Sequence, residues 1–359
     1  LAVKARHNDA RRTEITQMIE DIDLDDVIQE EDMAVTMTHL GYIKRLSPDT
    51  YRAQRRGGRG VMGQGTHEED FVERLFVTST HNHIMFFTNF GRAFRIKCYV
   101  IPEAGRNAKG LPIVNLLQLQ TGEKVTAMFP VRGEGDEGYL IMATRLGVIK
   151  KTPVTEFNNI RKGGLIAQNL REGDALISVE YATGDDEFII ASRQGKCIRF
   201  HERDVRAMGR TATGVRSINL EGDDTVVDMI KVVPGGNVLT VTELGLGKRT
   251  PEEQYRVQKR GGKGILATQL TDKTGELTCL RMTPDEDAQD IMLIRDDGTV
   301  MRMPLEQVRV ISRNTQGVKL MRVDEGTRIA AVAVAPHAEA EDSEGAEPES
   351  AESTESTEE

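Results

Sequence analysis

One spacing constrains this chain more than any other: a glycine that closes a short apolar run returns about every fifty residues, six times over. The glycines are Gly41, Gly91, Gly147, Gly195, Gly245 and Gly298, and the runs before them read MAVTMT, HIMFFT, YLIMAT, FIIAS, VLTVT and IMLIR. Runs this short, rich in apolar and β-branched side chains and ended by a glycine, predict a strand entering a hairpin rather than a helix. Glycine supplies the positive φ that such turns require. Four residues beyond each glycine stands a cation: Arg45, Arg95, Lys151, Arg199, Arg249 and Arg302. A second glycine follows that cation by 15 residues in five copies and by 13 in the third: Gly60, Gly110, Gly164, Gly214, Gly264 and Gly317. It opens a further strand (GLPIVNL, GLIAQNL, GVRSINL, GILATQL, GVKLMRV), and a last strand such as VTAMFPV or RIAAVAVA comes after a polar turn. In the first copy Phe71 to Thr78 fills that last role.

Each copy thus holds four strands and one longer excursion between the cation and the second glycine. A single such unit cannot bury both faces of its sheet, whereas six around an axis can, each packing on its neighbours. The expectation is an all-β, six-bladed propeller or a close relative spanning 33–336. Residues 1–32 read as an acidic connector, and 337–359, almost all Glu, Ser, Ala and Thr, as a disordered tail that cannot bury enough to fold. The longest apolar runs, such as Ile84–Phe87, fall far short of the roughly 20 residues a spanning helix needs, and a cytoplasmic protein is expected. The three cysteines, Cys98, Cys197 and Cys279, are too widely spaced for a CxxC metal site and read as buried thiols.

Charge decides the class of partner once it is divided along the chain. The net charge is −10, yet Glu339–Glu359 holds ten acidic and no basic residues, and Leu1–Ala34 holds ten acidic and four basic. The span between them is therefore positive by six. A basic body with acidic arms suits a polyanion. Aromatic residues make up only 4% with no Trp, which argues against base-stacking platforms but not against backbone binding. The acidic tail admits two roles: keeping the protein soluble, or competing with a nucleic acid for the basic rim.

The excursions carry the chemistry. The first ends in Gln54, Arg55, Arg56, Gly57, Gly58, Arg59, Gly60, and the fifth in Gln258, Lys259, Arg260, Gly261, Gly262, Lys263, Gly264. Glycines allow close backbone approach, while Arg and Lys supply the charge that phosphate oxygens demand. The spacing is not that of a P-loop. One such loop alone would read as a solvated basic hairpin; two in matching register favour a polyanion site. Weaker versions stand in the other copies, with Arg106 and Lys109, Arg161 and Lys162, Arg210, and Arg313. These residues, together with the six cations after the first glycines, are the candidate phosphate contacts.

QRRGGRG, with GYIKRLSPDTYRA before it, closely resembles the hallmark box of the DNA gyrase A C-terminal domain family, and GLPIVNL, KKTPVTEF, VRAMG, GKRT and SRNTQGV extend the resemblance over nearly the whole chain. The resemblance implies a six-bladed β-pinwheel of four-stranded blades that exchange strands. It also implies wrapping of double-stranded DNA around the rim with positive handedness and little sequence preference, so that the holoenzyme, a type II topoisomerase, introduces negative supercoils. The implied partners are the remainder of gyrase A, and gyrase B, in an A2B2 assembly, with the isolated domain monomeric and no membrane. Cofactors are implied to be none in this chain, ATP and Mg being used elsewhere in the holoenzyme. The box role carries over to Gln54–Gly60, with the fifth copy as a secondary site.

No catalytic residue is carried over, so the chain alone is expected not to be an enzyme. None of the six tyrosines lies beside an activating cluster, and packing explains them. His81 and His83 form an HxH pattern without a third ligand cluster and read as a polar turn. Two rivals stand beside the gyrase reading. One is the topoisomerase IV counterpart, whose related domain has fewer or more irregular blades and a degraded box; the other is a protein-interaction propeller of the WD-repeat or Kelch kind.

Overall fold

The computed structural model describes residues 27–47, 70, 72–105, 108–131, 137–283, 289–297 and 299–336. The connector before residue 27, the first-copy box and the tail lie outside them, as do Arg106, Gly60 and Gly298.

The first copy contributes β1 (Asp32–Thr38), β2 (Tyr42–Leu46) and β3 (Val72–Ser79), and the second β4 (His83–Thr88), β5 (Arg92–Lys97), β6 (Leu111–Pro112) and β7 (Val125–Val131). The third holds β8 (Tyr139–Thr144), β9 (Val148–Pro153), β10 (Leu165–Ile166) and β11 (Leu176–Ala182). The fourth holds β12 (Glu187–Ser192), β13 (Lys196–His201), β14 (Val215–Arg216) and β15 (Val226–Lys231). In the fifth are β16 (Asn237–Thr242), β17 (Leu246–Pro251), β18 (Ile265–Leu266) and β19 (Leu277–Thr283), and in the sixth β20 (Gln289–Arg295), β21 (Val300–Pro304), β22 (Val318–Lys319) and β23 (Ile329–Pro336).

The strand after each second glycine does not join its own copy's sheet. It completes the sheet before it: β6 pairs with β2, β10 with β5, β14 with β9, β18 with β13 and β22 with β17. Five sheets therefore have four antiparallel strands, and the sixth has three among the described residues, β21, β20 and β23. The strand exchange that the family resemblance implied is present at every described boundary.

The last strand of each copy faces the axis. Side chains from β3, β7, β11, β15, β19 and β23 line one central channel of about 540 Å³, and β3 adjoins β23, so the six blades close into a ring.

The core lies between blades, not within them. On β4, Ile84 and Phe86 pack toward Met33, Val35 and Ile43 of the first blade, while Met85 and Phe87 pack the other way, on Leu140 and Met142 of the third. Strand geometry sends alternate side chains to opposite faces. A strand buried on both faces must therefore be apolar without a break, which is why HIMFFT shows no alternation. Full burial of one such side chain is worth roughly 1.5–3 kcal/mol.

Two glycines show why the repeat carries them. Gly245 has φ +78°, and a Cβ there would lie 2.3 Å from the Met321 carbonyl oxygen. Gly264 has φ +71°, and a Cβ there would lie 2.4 Å from the Cys197 carbonyl oxygen of the blade that its strand completes. The first glycine admits the next copy's chain; the second lets the donated strand press against the previous blade.

Candidate nucleic-acid interface

In the second to sixth copies the excursion leaves the outer part of its own blade, makes a short 3₁₀ turn and returns along the preceding blade. In the first five copies the cation four residues after the first glycine holds the turn of the following copy. Arg45 Nε donates to Ile101 O at 2.7 Å, and its guanidinium meets Glu103 at 3.3 Å. Arg95 donates to Asn158 O at 2.5 Å and approaches His83 Nδ1 at 2.9 Å. Lys151 pairs with the buried Glu202 at 2.5 Å and lies 4.1 Å above the Tyr139 ring. Arg199 binds Glu187 at 2.6 Å, Tyr255 O at 3.1 Å and the carboxylate of Glu252. Arg249 donates to Val308 O at 2.9 Å.

These five side chains clasp the next blade. They were expected to face a duplex; the structure places each strand-borne side chain toward the neighbouring excursion, where its charge meets carbonyls and carboxylates. Arg302 differs. It binds Asp290 of its own blade at 2.6 Å and keeps 42% of its side chain exposed.

One residue before the clasp is a position that sequence reasoning missed. It reads Lys44, Phe94, Lys150, Ile198, Lys248, Met301 around the ring, an alternation of lysine and apolar side chains. All three lysines are fully buried. Lys44 Nζ donates to Gly105 O and Ala108 O, each at 3.0 Å. Lys150 Nζ donates to Gly209 O at 3.4 Å and to Arg210 O and Ala167 O. Lys248 Nζ donates to Ser312 O at 3.2 Å, to Thr315 O at 2.8 Å and to Arg313 O. Each ammonium is the seat of the loop that the second, fourth or sixth copy lays over it. Burial pulls the Lys150 ammonium down to about 7, with the Arg210 charge adding to the effect, and pulls Lys248 down to about 8, with Arg313 adding. Burial lowers Lys44 as well.

The loops of the third and fifth copies have apolar seats instead. Gly164 rests on Phe94, whose ring carbon lies 2.8 Å from where a Cβ would stand, and Arg92 beside that ring donates to Gly163 O at 2.5 Å. Gly262 lies over Ile198, and Gly261 N donates to Ser217 O at 2.6 Å. Arg161, Lys162, Lys259 and Lys263 project from these loops and are exposed. Lys263 is 76% exposed and meets Glu221 at 3.3 Å, a surface pair of the kind worth about 0–1 kcal/mol. Arg260, by contrast, braces the structure, donating to Asp204 O at 2.7 Å and to Arg216 O at 3.1 Å.

In the sixth copy Arg313 likewise donates to Leu266 O, and in the fourth Arg210 pairs with Glu156 at 3.6 Å. Lys109 is exposed in the second. The first-copy loop Gln54–Gly60 and Arg106 lie outside the described residues.

Further exposed cations lie on the same excursions: Arg206, Arg256 and Arg309, all seven residues past the clasp, and Arg216 and Lys319 on the donated strands. A register count from the clasp would have found the first three.

His81 and His83 turn to different partners, Ile28 O at 2.8 Å and Arg95. Cys98, Cys197 and Cys279 are free and buried. In the channel, burial and the neighbouring Asp228 carboxylate push Glu180 up to about 7, against Arg74, Arg281 and Lys231.

Six strand-exchanging blades closed into a ring, with basic loops laid over the outer strands, define a six-bladed β-propeller of the pinwheel type. The family described as DNA gyrase C-terminal domain, beta-propeller, matches six segments, 32–79, 82–132, 138–182, 186–232, 236–278 and 289–336. The chain belongs to the family of DNA gyrase A C-terminal domains. The DNA gyrase A protein of Clostridium acetobutylicum is 46% identical over 331 residues, 92% of this chain and 40% of that protein. Its Salmonella typhimurium counterpart is 44% identical over 331 residues, 92% of this chain and 37% of that protein. The chain thus spans about two fifths of the length of these relatives. A solved DNA gyrase A C-terminal domain superposes with TM-score 0.65 at 25% identity, over 85% of this chain and 99% of that one. The solved C-terminal domain of DNA topoisomerase IV has TM-score 0.76 at 22% identity, over 86% and 94%, a likeness of fold alone. Among the described residues no helix is long and apolar enough to cross a membrane.

Proposed function

We propose that this chain binds double-stranded DNA along its rim and wraps it with positive handedness, as the DNA-shaping part of a bacterial gyrase. The observation that carries this is the set of rim loops in which exposed cations stand beside two adjacent glycines, at Arg161–Gly164 and Lys259–Gly264. Such loops contact phosphates and leave base edges unread, so sequence preference is slight. The Gln54–Gly60 box joins them on sequence grounds. Cleavage, religation and ATP hydrolysis then fall to the rest of gyrase A and to gyrase B, and this chain contributes no catalytic group. The working place is the bacterial cytoplasm, at the nucleoid.

Smoothly bending 20–30 bp by 40–90° costs on the order of 1–6 kcal/mol, so a wrap needs many contacts. If about ten phosphates are neutralised, log K falls against log[salt] with a slope of roughly −9. A slope of about −2 contradicts wrapping. The direct test ligates nicked circular DNA in the presence of the chain. Trapped positive writhe is the expected result, and an unchanged linking number would sink the proposal in favour of an interaction scaffold.

A further inference from the structure

The arginines of the last three excursions stand at two fixed distances from the cation on the strand before them. Counted from Arg199, Arg249 and Arg302, the eleventh residue is Arg210, Arg260 or Arg313, and the seventh is Arg206, Arg256 or Arg309. The structure treats the two registers oppositely. At the eleventh position each guanidinium is spent on the protein: Arg210 meets Glu156 at 3.6 Å, Arg260 donates to Asp204 O at 2.7 Å and to Arg216 O at 3.1 Å, and Arg313 donates to Leu266 O. At the seventh position the side chains are exposed, and among the described residues none of the three guanidinium groups has a hydrogen-bond or ion-pair partner.

The backbone explains the difference. The sixth residue, Val205, Tyr255 or Val308, ends the 3₁₀ turn in an extended conformation with its side chain buried. The eighth, Ala207, Val257 or Val310, lies in a parallel bridge with Lys151, Arg199 or Arg249 of the preceding blade. Extended chain sends successive side chains to opposite sides, so the residue after a buried one points away from the core. The seventh residue is therefore rooted on the blade while its guanidinium is left to solvent. Arg206, Arg256 and Arg309 repeat this once per blade, over the third, fourth and fifth blades. In the second and third copies the same count falls on Pro102 and Asn158, which carry no charge.

A polyanion distinguishes the two registers. A guanidinium already bonded must give up a carboxylate or a carbonyl before it meets a phosphate, whereas an unpartnered one exchanges only water and releases the counterion that the phosphate held. We propose that Arg206, Arg256 and Arg309 are phosphate contacts for the duplex over blades three to five, and that Arg210, Arg260 and Arg313 are positioning residues that shape the rim loops and touch no phosphate. This rests on the DNA-wrapping reading. It reverses the weight suggested by sequence, where the arginines nearest the second glycines are the conspicuous ones.

The test compares equal charge changes in the full chain. One variant carries Arg206→Gln, Arg256→Gln and Arg309→Gln; the other carries Arg210→Gln, Arg260→Gln and Arg313→Gln. Each removes three positive charges, so net charge drops out of the comparison. Binding to a linear duplex is measured across a salt series, and the urea midpoint of each variant is recorded. For the first set, the slope of log K against log[salt] is expected to become shallower by roughly 2.7, at about 0.9 per arginine, with an unchanged urea midpoint. For the second, a slope change below about 1 and a lowered midpoint are expected. An unaltered slope in the first set, or equal changes in the two sets, would overturn the assignment. Should the second set not fold, the single variants Arg309→Gln and Arg313→Gln, four residues apart in one excursion, repeat the comparison. A slope change of about 0.9 for Arg309→Gln alone supports the proposal, and an equal change in both contradicts it. Failure of the unaltered chain to shift the linking number of nicked circles would instead remove the parent reading, and the assignment with it.

Discussion

The ammonium of Lys248 donates to the carbonyl oxygen of Thr315 at 2.8 Å, tying the fifth blade to a loop that the sixth copy lays over it. Lys248→Met keeps most of the side-chain volume and removes every donor. The carbonyls of Ser312, Arg313 and Thr315 would then face an apolar stem, at a cost of about 1–3 kcal/mol for the buried acceptors. Urea unfolding should show the loss. An unchanged midpoint would mean that the loop keeps its shape without the seat.

The clasp at Arg199 should be worth more. Its guanidinium serves Glu187 of its own blade and, across a blade boundary, Glu252 and the Tyr255 carbonyl, and only 12% of the side chain is exposed. Arg199→Leu leaves Glu252 with a largely buried charge and no cation, which costs about 3–5 kcal/mol. Glu252→Gln in addition should recover part of that loss, and a double-mutant cycle measures the coupling.

Stability should fall as pH rises across the weakly acidic range, because of the channel. Burial, with Asp228 nearby, pushes Glu180 up to about 7 from 4.5. Between these values the folded chain holds a proton that the unfolded chain has released, so the unfolding free energy declines through that window and the penalty is complete above about pH 7. The side chain is half-buried and lines the open channel, so screening leaves roughly 1–2 kcal/mol of the effect. Glu180→Gln should flatten the profile between about pH 4 and about pH 8 and stabilise the protein at the upper end. A parallel profile for the variant would place the pH dependence elsewhere.

Gly264→Ala tests the strand exchange. Positive φ and a Cβ 2.4 Å from Cys197 O force β18 off β13, and strain of this kind costs about 1–3 kcal/mol before the clash is counted. Gly209→Ala, where nothing lies within 4 Å of the added carbon, is the control and should be neutral. Hydrogen exchange at the Ile265 and Cys197 amides reads the local opening.

The repeat, its hairpins and its turns were legible because Gly41, Gly91 and their equivalents mark backbone conformations that few other residues adopt. The address of the donated strands was not. A two-residue ladder such as Val215–Arg216 against Ile149–Val148 contains nothing in its own sequence to say which sheet it joins; only the family resemblance pointed to exchange. The cations divided differently again. Arg45 and Lys162 look alike in sequence, yet one is spent on Ile101 O and Glu103 and the other is exposed. Recurrence at a strand position signals packing, whereas recurrence beside paired glycines signals a surface. The lysines at 44, 150 and 248 were visible as an alternation but look like surface charge until their carbonyl partners are seen.

Because β10 closes the second sheet and β14 the third, a growing polypeptide leaves the ribosome with its newest blade always one strand short. Each of the first five blades becomes complete only when the following copy has emerged. Assembly therefore runs as a relay from the amino-terminal side, and truncation at any repeat boundary exposes a raw sheet edge. The donated strands are all two residues long, so it is the two-blade rhythm of lysine and apolar seats that makes pairs of copies the natural unit for rebuilding the ring.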